Sequence, residues 1–166
     1  MHEISASGDP SLNKASFYAQ LREDVSAILT GERDWIANTA NCAAVLYHAL
    51  RDVNWAGFYF LQGEELVLGP FQGKPACVRI GPGRGVCGAA VVQRQTLVVP
   101  NVHEFPGHIA CDCASNAEIV VPLIVGDRII GVLDIDSPVL ERFSEEDAAG
   151  LESIVACLLS ASEVGG

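Results

Sequence analysis

The chain has 166 residues, of which 49% are hydrophobic, and its formal net charge is −11. This length suits one globular domain with its own core, and no apolar run approaches the roughly 18 residues of a membrane-spanning helix. The acidic balance argues against contact with the phosphate backbone of nucleic acids, so we expect neither a membrane nor a nucleic-acid partner.

The N-terminal segment, residues 1–14, is small and polar, which is typical of a flexible tail ahead of one domain over residues 15–162. It lacks the basic stretch and apolar core of a secretory signal, so we expect a cytoplasmic protein. The cytosol keeps thiols reduced unless they are catalytic or redox-sensing. Structural disulfides are therefore the weaker interpretation of the six cysteines.

Two helices are predicted at the start of the domain. Apolar residues recur at helical spacing from Phe17 to Leu29, with Gly31 as the expected stop. A second periodic run extends from Trp35 to Leu50. Cys42 falls on its apolar stripe, where we expect a small buried core residue.

From Trp55 onward the composition favours strands. The short runs WAGFYF, LVLGP and ACVRI are bounded by Gly or Pro and predict three antiparallel neighbours. Trp55 and Tyr59 share one face of the first strand. They belong either to the core or to the wall of a cavity that suits a methyl group or a cation.

The stretch from Gly81 to Val92 begins as a glycine loop and continues as a sequence compatible with a helix, in which Cys87 lies. The N–H groups at such a helix start can hold an anion. The strand TLVV follows, and then an irregular segment extends from Pro100 to Ser115. Loops of this length in compact domains are usually functional.

This irregular segment contains two thiols, Cys111 and Cys113, and two imidazoles, His103 and His108. A zinc site would combine these residues with Cys87. Structural zinc sites, however, favour two halves of the C-x2-C to C-x4-C type, and the sequence has a single C-x-C, so we predict no metal. His108 either biases Cys111 toward thiolate or caps backbone groups.

Redox chemistry is the other interpretation of the thiols. A catalytic thiol must be ionisable, reachable and close to a second thiol that converts its oxidised form into a disulfide. Cys77, Cys87 and Cys111 all lie in predicted loops or at strand ends, which permits this chemistry.

The runs EIVVPLIV and RIIGVLDID, separated by the turn Gly126–Asp127, predict a hairpin. Asp134 and Asp136 share one face of its second strand, and antiparallel pairing would bring Glu118 to Asp136 at the same end of the sheet. If that face is covered, the carboxyls raise each other's pKa and retain a proton. If it is open, the strand simply ends in solvent.

The last predicted element is a helix that starts at an S-x-x-D signal, Ser144 and Asp147, and carries an apolar stripe from Leu151 to Leu159. Cys157 lies beside this stripe, and we expect it to be inert. The order of elements predicts an α+β domain, with a six-stranded antiparallel sheet and helices packed mainly on one face.

Six segments of the sequence together closely resemble the free methionine-(R)-sulfoxide reductases, which are single-domain enzymes of GAF fold. They are NWAGFY, LGPFQGKPACVRI, GRGVCGAA, VPNVHEFPGHIACD, EIVVPL and GVLDIDSP, and the match extends over about residues 15–160. The resemblance implies a GAF-like domain that reduces free methionine-(R)-sulfoxide and takes its electrons from a thioredoxin-like dithiol protein. It implies no metal and no organic cofactor.

The resemblance also implies roles for the thiols. Cys111 resembles the attacking cysteine that becomes a sulfenic acid, Cys77 its resolving partner, and Cys87 a second, auxiliary thiol. Cys113 departs from the family pattern and is either a bystander or an alternative disulfide partner.

The substrate-binding residues carry over in the same way. Glu118, Asp134 and Asp136 match the acids that hold the substrate ammonium and assist at the sulfoxide oxygen. Trp55 and Tyr59 match the residues around its methyl group. The rival function is a non-catalytic GAF sensor that binds a small ligand such as a nucleotide. The oligomeric state, monomer or homodimer, stays open.

Overall fold

The computed structural model describes residues 13–108 and 114–165. The N-terminal segment 1–12 and the stretch 109–113, with Cys111 and Cys113, lie outside the described residues. The elements in chain order are α1 (Lys14–Leu29), α2 (Trp35–Ala49), β1 (Trp55–Gln62), β2 (Glu65–Gly73), β3 (Arg79–Ile80), α3 (Gly85–Gln93), β4 (Leu97–Val99), a 3-10 turn (Val102–Glu104), β5 (Ala117–Val125), β6 (Arg128–Ser137) and α4 (Glu145–Ala161).

One antiparallel sheet contains all six strands in the order β3-β2-β1-β6-β5-β4, which confirms the predicted fold class. The third strand is shorter than the run ACVRI, because only Arg79 and Ile80 pair with β2. Ala76 and Cys77 belong instead to the loop between β2 and β3.

The two faces of the sheet pack against different helices. Alternation along the strands puts Phe58, Leu133 and Ile135 in a core with α1, α2 and α4. The opposite face, with Tyr59 and Val132, packs against α3. Three of the four helices therefore lie on one face, as predicted, and the predicted core position of Cys42 is confirmed by its complete burial. The part of the chain that the structure describes contains no helix long and apolar enough to cross a membrane.

The start of α4 is fixed by a buried carboxylate, Asp147. It accepts hydrogen bonds from the backbone N–H of Ser144 (2.8 Å), from Tyr18 Oη (2.7 Å) and from Lys14 Nζ (2.6 Å), and Arg142 lies 3.5 Å away. Burial alone would raise the pKa of Asp147, but its hydrogen bonds outweigh burial and leave the pKa below its usual value. Asp147 thus joins α1 to α4 and confirms the predicted start signal.

We expect Asp147→Asn to lower the free energy of unfolding at pH 7 by roughly 1.5–3 kcal/mol, because it removes the charge from these hydrogen bonds. The lowered pKa means that this stabilisation is present above the unfolded-state pKa and is lost as pH falls, so the difference should shrink toward pH 3. Urea unfolding at both pH values measures it. Glu146→Gln, at an exposed neighbour, is the control, and equal stabilities of the Asp147 variant and wild type at pH 7 would contradict the assignment.

Candidate functional site

A cleft of about 550 Å³, counted to its open mouth, lies on the face of the sheet that carries α3. The described residues that line it are Trp55, Tyr59, Lys74, Pro75, Ala76, Ile80, Arg84, Gly85, Val86, Cys87, His108, Ser115, Glu118, Asp134 and Asp136.

An aromatic wall from β1 and β2 forms one side of the cleft. Trp55 stacks on Tyr59 at 5.9 Å between ring centroids and on Phe71 at 5.3 Å. Gly57 makes this packing possible, because a Cβ there would collide with the Cβ of Phe71. The predicted common face of Trp55 and Tyr59 is therefore confirmed, and both rings contribute to the smaller core and to the cleft at once.

Three carboxyls from the hairpin of β5 and β6 lie beside this wall on the same sheet face, because Asp136 pairs directly with Trp55 across β1 and β6. Glu118 pairs directly with Asp136 across the two strands, as the sequence predicts, and Asp134 lies two residues away on the same face. Glu118 and Asp134 are each only 6% exposed, and Asp136 is partly buried. The covered alternative for this face is thus the one that the structure adopts.

Burial changes the protonation of these acids. The pKa of Glu118 is raised well above its usual value by burial and by the nearby charges of Asp134 and Asp136. Burial also raises the pKa of Asp134, to about 6, although hydrogen bonds with Glu118 and Cys87 oppose part of this rise. Two buried carboxyls this close favour a shared proton over two negative charges.

The hydrogen-bond pattern agrees with a retained proton. Asp134 Oδ1 is buried, and no donor among the described residues reaches it when both acids are ionised. A proton on Glu118 would supply that donor, since a protonated carboxyl can donate one hydrogen bond. The cleft therefore holds an acid that can give up a proton near neutral pH.

Cys87 belongs to this acid cluster. Its Sγ lies 4.0 Å from Glu118 Oε1, and the thiol is buried at the start of α3. Burial, followed by the charges of Asp134 and Glu118, raises the pKa of Cys87 well above its usual value, so the group is a neutral S–H. Ligand atoms of Cys87, Glu118 and Asp134 lie within 4.8 Å of one another, but they would have to lose their protons before holding a metal.

His108 borders the same acids. Its Nε2 lies 3.6 Å from Glu118 Oε2, so the side chain faces the cleft. Burial and the neighbouring His103 lower its pKa, which favours the neutral imidazole. The expected influence of His108 on Cys111 involves a residue outside the described ranges.

The described cysteines differ in oxidation state. Cys77 is disulfide-bonded, whereas Cys42, Cys87 and Cys157 are free thiols. Cys77 lies in the loop whose Lys74, Pro75 and Ala76 line the cleft.

Of the sequence-predicted site residues that the structure describes, all but Cys77 line this cleft, and Cys77 follows the cleft residue Ala76 in the chain. Sequence reasoning missed two cations at the cleft, Lys74 and Arg84. Arg84 is the N-cap residue of α3 and makes no side-chain capping hydrogen bond. Its position within the glycine loop GPGRG was the one available signal, because a cation beside a helix start suits an anionic ligand.

Comparisons with known proteins identify the relatives of this chain. Residues 24–159 match the GAF domain family model. The chain is 58% identical to the free methionine-R-sulfoxide reductase of Escherichia coli over 147 residues, which cover 89% of each chain. Solved structures from Neisseria meningitidis and Staphylococcus aureus are also similar.

The free methionine-R-sulfoxide reductase of Neisseria meningitidis, solved in complex with its substrate, is 44% identical with a TM-score of 0.89, covering 97% of this chain and 95% of that one. The fRMsr of Staphylococcus aureus in its reduced form is 49% identical with a TM-score of 0.84, covering 87% of this chain and 94% of that one. These matches confirm the resemblance seen in the sequence and the expected GAF fold.

We expect Asp134→Asn to weaken the dependence of stability on pH. A carboxyl whose pKa is raised in the folded state costs stability once it must ionise, so wild type should lose stability as pH rises from about 4 through the folded value of about 6. Over the same pH range the free energy of unfolding of the variant should fall by less than that of wild type, and the difference should reach up to about 3 kcal/mol. Urea unfolding between pH 4 and 8 measures this slope.

The control for this experiment is Asp127→Asn in the exposed turn between β5 and β6, which should keep the wild-type slope. Identical slopes for the Asp134 variant and wild type would show that this carboxyl ionises freely.

Proposed function

Because the chain belongs to the free methionine-R-sulfoxide reductase family of GAF-domain proteins, we propose that it reduces free L-methionine-(R)-sulfoxide to L-methionine by thiol chemistry. The observation that carries this proposal is a buried, proton-retaining acid pair in one cleft with a disulfide-bonded cysteine loop. The Neisseria meningitidis relative with bound substrate supports the choice of substrate.

The cleft offers a separate partner for each end of this amino acid. The negative charge shared by Glu118, Asp134 and Asp136 suits the ammonium group. The stacked faces of Trp55 and Tyr59 suit the methyl group next to sulfur. The carboxylate fits the start of α3, where the N–H groups of Gly85, Val86 and Cys87 precede the first helical hydrogen bond and Arg84 lies beside them. Enclosing both charges favours the free amino acid over a peptide.

Proton donation is the part of the reaction that the acid pair performs. A carboxyl kept neutral by burial can protonate the sulfoxide oxygen, which makes the sulfoxide sulfur electrophilic. The thiolate of Cys111 then attacks that sulfur. The sulfoxide oxygen passes to the cysteine, so that methionine leaves with its sulfur reduced by two electrons and Cys111 becomes a sulfenic acid.

A second thiol must then resolve the sulfenic acid. In our proposal the Cys77 thiolate attacks the sulfenic sulfur, the S–S bond forms, the S–O bond breaks and the oxygen leaves as water. The free state of the other described cysteines supports Cys111 as the partner of Cys77, with Cys113 as the alternative. A thioredoxin-like dithiol reduces the disulfide by exchange, and we place the reaction in the cytoplasm.

Cys87 has a different role in this scheme. A buried neutral thiol is a poor nucleophile, but it can donate a hydrogen bond to the acid pair and so influence where the proton resides. We therefore assign Cys87 to the acid cluster as an auxiliary donor. The alternative of a non-catalytic sensor would need none of these thiols, and the comparisons favour the reductase.

The decisive assay measures methionine formed from the separate R and S sulfoxides with dithiothreitol as reductant. We expect wild type to consume the R form only. Cys111→Ser should lower the rate by about a thousandfold or more, because it removes the nucleophile. Cys157→Ser, at a free thiol away from the cleft, should keep the wild-type rate, and retained turnover by Cys111→Ser would reject that nucleophile.

The variants Cys87→Ser and Cys87→Ala distinguish a role of Cys87 as a hydrogen-bond donor from a role as a redox thiol. We expect Cys87→Ala to lower kcat roughly two- to tenfold because the donor is lost, and Cys87→Ser, which keeps a donor, to recover most of it. Both variants should still form the Cys77 disulfide after one turnover, as seen by mass spectrometry. Equal losses in both variants together with no disulfide would make Cys87 a redox thiol.

A further inference from the structure

Between described residues, three hydrogen bonds hold the loop of residues 74–78, which we call the Cys77 loop. Tyr59 Oη donates to the carbonyl oxygen of Cys77 at 2.9 Å, and Trp55 Nε1 donates to that of Lys74 at 3.1 Å. At the far end, the backbone N–H of Leu68 donates to the carbonyl oxygen of Val78 at 2.9 Å. Two of the three donors are thus side chains of the substrate cleft.

These two side-chain donors are held rigidly. Trp55 and Tyr59 are 3% and 1% exposed, and their rings stack on each other. The chain also enters the loop in contact with the same wall, because Gly73 adopts φ +125° and a Cβ there would lie 2.7 Å from Trp55 Cδ1. Rigid donors lower the entropic cost of holding a loop in one conformation.

Contact with a substrate methyl group does not require either hydrogen bond. A methyl group packs against the faces of the rings, whereas the Tyr59 hydroxyl and the Trp55 N–H point to loop carbonyls at the ring edges. Burial, and then the charge of Asp134, raises the pKa of Tyr59, so its hydroxyl keeps the proton that it donates. The two polar groups therefore serve the loop.

We propose that Tyr59 and Trp55 are positioning residues for the resolving step. Their hydrogen bonds hold the Cys77 loop in the conformation in which Cys77 forms its disulfide. This inference rests on the proposed function for the identity of the reaction. Disulfide formation demands a narrow geometry of the two sulfurs and their Cβ atoms. A loop held at Cys77 limits the positions that its thiol can take, which favours attack on the sulfenic acid before a second oxidation can reach it.

The first test needs no substrate. Tyr59→Phe removes only the hydroxyl, and we expect its Cys77 disulfide to be reduced more readily in a glutathione redox buffer, by about two- to tenfold in the equilibrium constant. Thiol labelling with mass spectrometry reads the oxidised fraction at Cys77. Tyr47→Phe, at a half-buried tyrosine outside the cleft, is the matched control and should titrate as wild type does.

The second test separates the two chemical steps in a single turnover. In Tyr59→Phe, conversion of the sulfenic acid to the disulfide should slow by about two- to tenfold relative to methionine release, so that dimedone traps more sulfenic acid than in wild type. Trp55→Phe, which removes the other donor, should shift the same ratio. Any change in KM from altered packing leaves this ratio unaffected.

The inference would be overturned if Tyr59→Phe kept both the wild-type reduction equilibrium of the Cys77 disulfide and the wild-type ratio of disulfide formation to methionine release. Tyr59 would then serve substrate binding alone. Failure of wild type to release methionine would instead reject the proposed function. The glutathione titration would still test the loop in that case, so the two failures are distinguishable.

Discussion

The cost of burying negative charge governs the candidate site. Glu118 and Asp134 lie side by side on a sheet face that α3 covers, and two ionised carboxyls there would lose solvation and repel each other. Retaining a proton is the least costly solution. Three features favour the retention of that proton. The hairpin register aligns the acids, α3 covers them, and the Cys87 thiol faces them.

The two faces of the sheet have different roles, and the stability of one offsets the cost of burying acids on the other. Three helices on one face bury most of the apolar side chains, and that core carries the stability of the domain. On the other face, α3 is the one helix among the described elements, and the smaller core there leaves room for a cleft. The strands β1 and β6 approach closely at Gly131, where a Cβ would collide with the Tyr59 carbonyl oxygen. This close pairing holds Tyr59 in the cleft.

Local patterns in the sequence predicted much of this structure. Alternation placed Asp134 and Asp136 on one face, the turn at Gly126–Asp127 set the register that opposes Glu118 to Asp136, and the S-x-x-D signal marked α4. Burial of the acids could not be derived in this way, because it depends on α3 packing across the sheet. Cys77 lies outside the third strand, and its carbonyl oxygen accepts a hydrogen bond from Tyr59. Both features also depend on contacts between residues far apart in the sequence.

A site that needs both a neutral acid and a thiolate must keep them in different surroundings. Burial in this acid cluster, and then the charges of Asp134 and Glu118, raise the pKa of Cys87 and so suppress its ionisation. A redox thiol is therefore better placed on a segment beside the acid pair than within it. Cys77 meets this condition, because it is partly buried on a loop that is hydrogen-bonded to the aromatic wall. Its disulfide contrasts with the free thiol of Cys87.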